Sequence, residues 1–339
     1  MKKIISLLAI CIFLLTAICV FPTVSFSQDL RFAQPFANPL KLNPAMMGMN
    51  EDLKFMLHYR SQWAALGNGY TTASFTTLYP IYIKEGKEKL DVGANVLQDK
   101  SGAFKSLDAS LAIGYNLQIS DAGHLNFSLM GGYVQKSLNT ANLTFDNQYM
   151  LGSYNSSNPI NETVLNNKAG YADVGAGAMW YYTPSKDDNA KLNAYLGVSA
   201  FHLNQPNESF TAATGKLPAR YSFQGGIKIL GKNKIDFTPN VIVNSQNGNE
   251  NIAVGVLMDY HVGEATSKIV IGAWYRRTDA IAFSVGYEHK TLSFGYSYDV
   301  VTSQISNSVA GLNAHEITVA LKFNQSHKGN SVPKTGAKK

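Results

Sequence analysis

The side chains able to do chemistry in this sequence are few and scattered. Asp299, His202, His315 and Glu316 are of the types found in hydrolytic sites, where an imidazole moves a proton and a carboxylate orients it. Brought to one rim of a fold they would suit a hydrolase, which is one reading of the chain. The local spacing does not favour it. There is no HExxH, no GxSxG and no P-loop, and Gly175-Ala176-Gly177 lacks the third glycine of a dinucleotide loop and falls in a strand pattern, where glycine eases packing. The seven histidines are dispersed, with no two at metal-ligand spacing. Both cysteines, Cys11 and Cys19, lie in the N-terminal apolar run, so the mature chain offers no disulfide, thiolate ligand or Cys nucleophile. The sequence therefore implies no enzyme, no metal and no cofactor.

Of the elements that must carry these residues, the first is an expected secretory signal, residues 1–27. Lys2 and Lys3 precede the apolar run from Ile4 to Phe21, Pro22 breaks it, and Ser25-Phe26-Ser27 supplies small residues for cleavage before Gln28. A lipid anchor on Cys19 does not fit, because Ile18 stands where a small residue is wanted. Without Lys2 and Lys3 the chain carries 27 basic and 23 acidic residues. Lys328, Lys334, Lys338 and Lys339 hold the excess in an acid-free tail, so the body is near neutral and gives no case for nucleic acid. Beyond Gln28 no apolar run reaches the roughly 18 residues of a membrane helix.

LKFMLHYRSQW, residues 53–63, shows what takes its place. Leu53, Phe55, Leu57 and Tyr59 alternate with Lys54, Met56, His58 and Arg60, the period of a strand with two different faces. Fourteen such segments are predicted, at 53–63, 71–81, 89–98, 106–118, 124–137, 171–182, 191–203, 219–229, 234–244, 251–261, 268–276, 280–288, 291–299 and 314–323. No Lys, Arg, Asp or Glu falls on their apolar faces. The other faces carry His58, Arg60, Asp91, Asp108, Asp173, Arg220, Arg276, Asp299 and Glu316 among Gly, Asn, Ser and Ala.

Only 15% of the chain is charged, against about 25% in a typical soluble domain. The segments exceed the 5–6 residues of an ordinary strand and match the roughly 9–11 a tilted membrane strand needs. Their number is even, and the long connections 138–170, 204–218 and 300–313 all fall on one side, with short turns on the other. The expected fold is all-β: a 14-stranded antiparallel transmembrane β-barrel over 53–323, in the bacterial outer membrane, with short periplasmic turns, longer external loops and both termini periplasmic. Closure removes sheet edges and satisfies backbone groups that lipid cannot. Residues 28–52, rich in Pro, Asn and Met, form an N-terminal lead-in or a lumen plug, and 324–339 a flexible basic periplasmic tail.

Specific stretches then resemble one family, the PorP/SprF outer-membrane proteins of the type IX secretion and gliding machinery. Phe36-Ala37-Asn38-Pro39-Leu40 and Leu42-Asn43-Pro44-Ala45 are similar to its N-P-L-x-L-N-P-A signature, and Tyr59-Arg60-Ser61-Gln62-Trp63 to its Y-R-x-Q-W. Phe201-His202-Leu203-Asn204-Gln205-Pro206 and Leu217-Pro218-Ala219-Arg220-Tyr221 resemble its F-H-L-x-x-P and L-P-x-R-Y. Tyr275-Arg276 with Asp279-Ala280-Ile281, Gly295-Tyr296-Ser297-Tyr298-Asp299 and His315-Glu316-Ile317 complete the order. The resemblance implies a non-enzymatic component that aids export or surface retention of cargo proteins. Its implied partners are outer-membrane lipid, machinery proteins in the periplasm and surface-exported cargo. Arg60, Gln62, Arg220, Arg276, Asp299 and Glu316 would form a charge-paired lumen network. Asn38, Pro39, Asn43 and Pro44 would dock against it. The same network, or a partner contact, is expected of Tyr59, Trp63, His202, Pro206, Tyr221, Asp279, Tyr296, Tyr298 and His315. A transport channel for small solutes is the alternative function, and a rim-located hydrolase the second alternative.

Overall fold

The computed structural model describes residues 29–323, apart from 67–68, 84–87, 140–142, 151, 159–166, 185–191, 211–213, 232–233, 264–266 and 304–310. The expected signal segment and basic tail lie outside the described residues. The alternating segments form strands β1 (Leu53–Gln62), β2 (Tyr70–Ile83), β3 (Glu88–Ser101), β4 (Phe104–Gln118) and β5 (Gly123–Leu138). A two-residue hairpin, β6 (Tyr149–Met150) and β7 (Ser153–Tyr154), decorates the next connection. The wall resumes with β8 (Lys168–Tyr182), β9 (Leu192–Phe201), β10 (Arg220–Ile229), β11 (Ile235–Gln246) and β12 (Asn249–Val262). It ends with β13 (Ser267–Arg276), β14 (Ala280–His289), β15 (Leu292–Val301) and β16 (Asn313–Phe323).

Every neighbouring pair is antiparallel. The first strand closes on the last, with Leu53 opposite Phe323 and Gln62 opposite Ala314, so the fourteen wall strands make a closed barrel. No sheet edge remains to be satisfied in lipid. The side-chain period of two then sorts the residues. Leu111, Leu129, Val198 and Phe283 stand exposed on the outside, while His58, Asp91, Asn95, Asn126 and Gln224 are buried inside.

Several strands run past the expected segments at the end carrying the long connections. In those extensions Lys100, Lys105, Lys168 and Glu250 lie exposed on the outer face. A charge facing mid-bilayer costs about 2–4 kcal/mol, so these residues mark where the outward surface leaves hydrocarbon. Tyr59, Tyr133, Tyr221 and Tyr275 form an outward aromatic belt below them, and Phe55, Tyr79, Tyr115, Phe127, Trp180, Tyr260, Tyr287 and Phe323 one at the opposite end.

A barrel of this size encloses more space than lining side chains fill. Residues 29–50 occupy that space. The segment is three short turns, Pro35–Ala37, Pro39–Leu42 and Pro44–Met49, each begun by a proline whose fixed φ favours a helical first residue. It meets the wall on several sides. Leu40 and Met47 cluster with Leu78, Ala112, Met130 and Phe201; Ala33 packs on Trp274 and Ala282; Leu42 packs on Ile242 and Ala253.

The direction of this segment follows from its two described ends. Asn50 leads into β1 at the short-turn end, where Phe323 also ends β16. Asp29 sits at the long-loop end, held by His202 and Arg220 beside the connection after β9 and by Gln246 at the end of β11. Asp29 and Phe323, the two ends of the described chain, are therefore at opposite mouths. The lead-in reaches the far mouth because its buried apolar and Asn side chains are spaced along the whole lumen rather than gathered near β1.

Candidate functional site

Two buried clusters tie the lumen segment to the wall. The first is centred on Glu316 of β16, which is 1% exposed. Its Oε1 accepts from the backbone N–H of Ala33 at 2.6 Å and its Oε2 from that of Gln34 at 3.0 Å. His58 Nε2 lies 3.1 Å from Oε2, and Arg60 Nη1 donates to Oε1. Arg60 also donates to Asp299 Oδ2 at 3.0 Å, and Arg276 Nη2 to the same oxygen at 2.7 Å. Arg276 continues to Asp279, which Arg31 of the lumen segment approaches at 4.0 Å. Gln62 Oε1 accepts from Arg60 Nε and Nη2, which holds the guanidinium in plane. Two wall arginines thus face two wall carboxylates, and the lumen backbone uses the remaining acceptor capacity. Such an array holds only because every charge is paired.

The second cluster is the far-end clasp. His202, just beyond β9, places Nδ1 2.9 Å from Asp173 Oδ1 and Nε2 2.7 Å from Asp29 Oδ2. Arg220 lies 3.2 Å from the same Asp29 oxygen and donates to the Lys41 carbonyl at 2.9 Å. Burial works against the charged form of His202, but hydrogen bonds and charge from Asp173 and Asp29 outweigh it and raise its pKa to about 9. Burial opposes ionisation of Asp29 as well; the Arg220 charge and the His202 hydrogen bond overcome it and hold Asp29 well below the usual carboxylate range. Lys41 reaches across to Asp108 Oδ2 at 2.5 Å.

Deeper in the lumen than both clusters, two fully buried asparagines read the wall. Asn43 Nδ2 faces the carbonyls of Ala178 and Val198 and the Gln224 amide oxygen at 3.1–3.2 Å, while its Oδ1 accepts from Ala45 N–H. The approach requires glycine in the wall: a Cβ on Gly177 would stand 2.1 Å from Asn43 Oδ1, and one on Gly197 2.8 Å from Asn43 Nδ2. Asn38 donates to Ser74 Oγ and accepts from Thr76 and Asn95. Pro39 and Pro44 are buried beside them. Gly48 presents its carbonyl to Asn116 and Tyr181. Above the segment a vestibule of about 460 Å³ opens at the long-loop end, bordered by Asp99, Lys136 and Glu208.

The geometry unites Asn38, Pro39, Asn43, Pro44, Arg60, Gln62, His202, Arg220, Arg276, Asp279, Asp299 and Glu316 around the lumen segment. Other expected members fall outside this network, at positions open to the partner-contact alternative. Tyr59, Tyr221, Tyr296, Tyr298 and His315 alternate with inward residues and lie on the outer face, where Tyr296 Oη is 2.8 Å from His315 Nδ1. Trp63 leaves the strand at φ 57 and packs at a tilt against Tyr70 at the rim, and Pro206 lies in the connection after β9. The hydrolase grouping is not assembled: His315 faces outward, His202 is engaged by two carboxylates, and Asp299 and Glu316 are locked by arginines. Among the described residues no group of three His, Cys, Asp or Glu is placed to hold a metal.

Sequence reasoning missed Leu78, Met130, Met179, Phe201, Ile242 and Trp274, large apolar residues that point inward. They interrupt an otherwise polar lumen face, and that interruption was the available signal that something apolar fills it.

A model of the type IX secretion system membrane protein PorP/SprF matches residues 24–321. The chain belongs to the PorP/SprF family. A comparison with curated proteins finds no match. Among solved structures, the Ralstonia pickettii toluene transporter TbuX is similar at 11% identity and a TM-score of 0.50, over 84% of this chain and 93% of that one. The CymD monoaromatic hydrocarbon channel is similar at 10% identity and a TM-score of 0.52, over 86% and 94%. At such identity these likenesses speak to the fold alone: an outer-membrane barrel.

Proposed function

We propose that this family member is a non-enzymatic, plugged barrel of the type IX secretion and gliding machinery that aids export or surface retention of cargo. The long loops face outside, the short turns face the periplasm, and the lumen is filled. The observation that carries this is the anchoring of residues 29–50 along the lumen, by Glu316 and the Asp29–His202–Arg220 clasp toward the long-loop end and by Asn116 and Tyr181 on the Gly48 carbonyl toward the short-turn end. A route for solute would have to break buried charge pairs, each costing about 3–5 kcal/mol when one partner is lost. Rigid, closed walls with extended loops suit a platform for other machine components better than a pore. The alternative, a small-solute channel, shares the fold but finds its path occupied. The test is removal of the chain from its cell, with recovery of its bound partners from the intact cell. Surface proteins left unexported, and machinery proteins copurifying, support the platform. Normal export with a solitary barrel contradicts it.

A further inference from the structure

The short-turn mouth carries an alternating girdle of charge with one place left open. His261 and Lys228 lie 2.8 Å and 3.2 Å from Asp236. Lys228 and Lys268 lie 2.7 Å and 3.1 Å from Asp259. Lys268 and Lys322 lie 3.5 Å and 3.2 Å from Glu288. Asp259 and Glu288 therefore each sit between two lysines, and Asp236 between Lys228 and His261. The next inward residue round the rim is Lys54, directly opposite Lys322 in the β1–β16 register. Among the described residues Lys54 makes no ion pair; the Glu288 carboxylate, which lines the same hollow, is held by Lys268 and Lys322 instead. Glu51 and Asp52 precede the strand and pair with neither Lys54 nor Lys322. Like charges facing each other across a strand pair repel, and the pattern elsewhere in the girdle places an acid at such a point.

Behind Lys54 lies a cavity of about 190 Å³ beneath the lumen segment. Met56, Leu257, Val270 and Trp274 from the wall and Phe36 from the segment give it an apolar interior, Gly286 and Gly295 leave it room, and Lys54 and Glu288 stand on its lining. A cationic rim over an apolar hollow recognises one chemistry: an oxyanion on an aliphatic body. We propose that this cavity is a binding site for an aliphatic carboxylate entering from the short-turn mouth. The carboxylate occupies the open place between Lys54 and Lys322, and the chain lies against Met56, Leu257, Trp274 and Phe36.

The test uses the full-length barrel in a non-ionic detergent, with octanoate as the probe and octanol as its uncharged counterpart. Calorimetry is expected to show saturable octanoate binding at least tenfold tighter than octanol. Lys54→Glu fills the open place from within, so it should abolish octanoate binding and raise the melting temperature. Lys54→Gln should weaken octanoate binding without affecting octanol. Equal affinity for octanoate and octanol overturns the proposal, as does undiminished octanoate binding by Lys54→Glu. A Lys54→Glu barrel that folds but melts below the parent also overturns it, because the carboxylate would then have no place between the lysines.

Discussion

Glu316→Ala separates what holds the plug from what holds the wall. The substitution removes the acceptor for the Ala33 and Gln34 N–H groups, two bonds from the lumen segment to a buried carboxylate. Bonds to charged groups are worth about 1.5–3 kcal/mol each, so plug docking should weaken by about 3–6 kcal/mol. At about 1.4 kcal/mol per factor of ten, the undocked population should rise by roughly two to four orders of magnitude. The wall suffers differently. Arg276 keeps Asp279, but Arg60 is left with only the Asp299 oxygen that it shares with Arg276, an undercompensated buried charge that should cost the barrel about 3–5 kcal/mol. The double change Arg60→Met, Glu316→Met restores charge balance while leaving the plug amides without their acceptor. Its melting temperature should recover most of the single variant's loss. Its lumen should stay as leaky as the single variant's. Single-channel recording reads the plug, and melting in detergent reads the wall. A Glu316→Ala barrel that is as silent as the parent, or a double variant that recovers both properties together, refutes the division.

Three other outcomes follow from the same geometry. Gly177→Ala puts a Cβ within 2.1 Å of Asn43 Oδ1, so it should displace Asn43 and raise the reactivity of a cysteine placed at Leu42, with strand content in circular dichroism unchanged. The Asp29–His202 clasp should respond to pH in two windows. His202 has a folded pKa raised above its unfolded value, so its contribution is complete below about 6.5 and is lost as pH rises through about 9. Asp29 is depressed, so its contribution is present above the ordinary Asp range and is lost only in strong acid. Labelling of a Leu30→Cys variant should rise on the alkaline side, and His202→Gln should remove that rise; a flat profile in the parent contradicts the clasp. A cysteine at Ser153, in the long-loop hairpin, should label on whole cells, whereas one at Lys290, in a short turn, should label only after lysis; the reverse pattern inverts the orientation.

The wall was legible in the sequence because its constraint is local and repeated. Leu53-Lys54-Phe55-Met56 already shows which residue meets lipid, and a one-residue slip would expose Lys54 and Arg60 to hydrocarbon. Arg60, Arg276, Asp299 and Glu316 could be placed inside on the same ground, though nothing local shows that Arg60 bridges two carboxylates from β15 and β16. The lumen segment was legible as an irregular, proline-rich stretch, a lead-in or a plug, but not in its path. Its path depends on contacts such as Asn43 with Gly177, more than a hundred residues away, which carry no periodic mark. His315 and Tyr296 show the opposite limit: a motif binds neighbours in sequence together, while alternation sends them to opposite faces from Glu316 and Ser297.

The most direct measurement is the conductance of the reconstituted full-length barrel in a planar bilayer, compared with a variant lacking residues 29–50. The plugged-lumen account predicts silence from the parent and steady ohmic current from the variant. A parent that conducts as freely as the deleted form would contradict it.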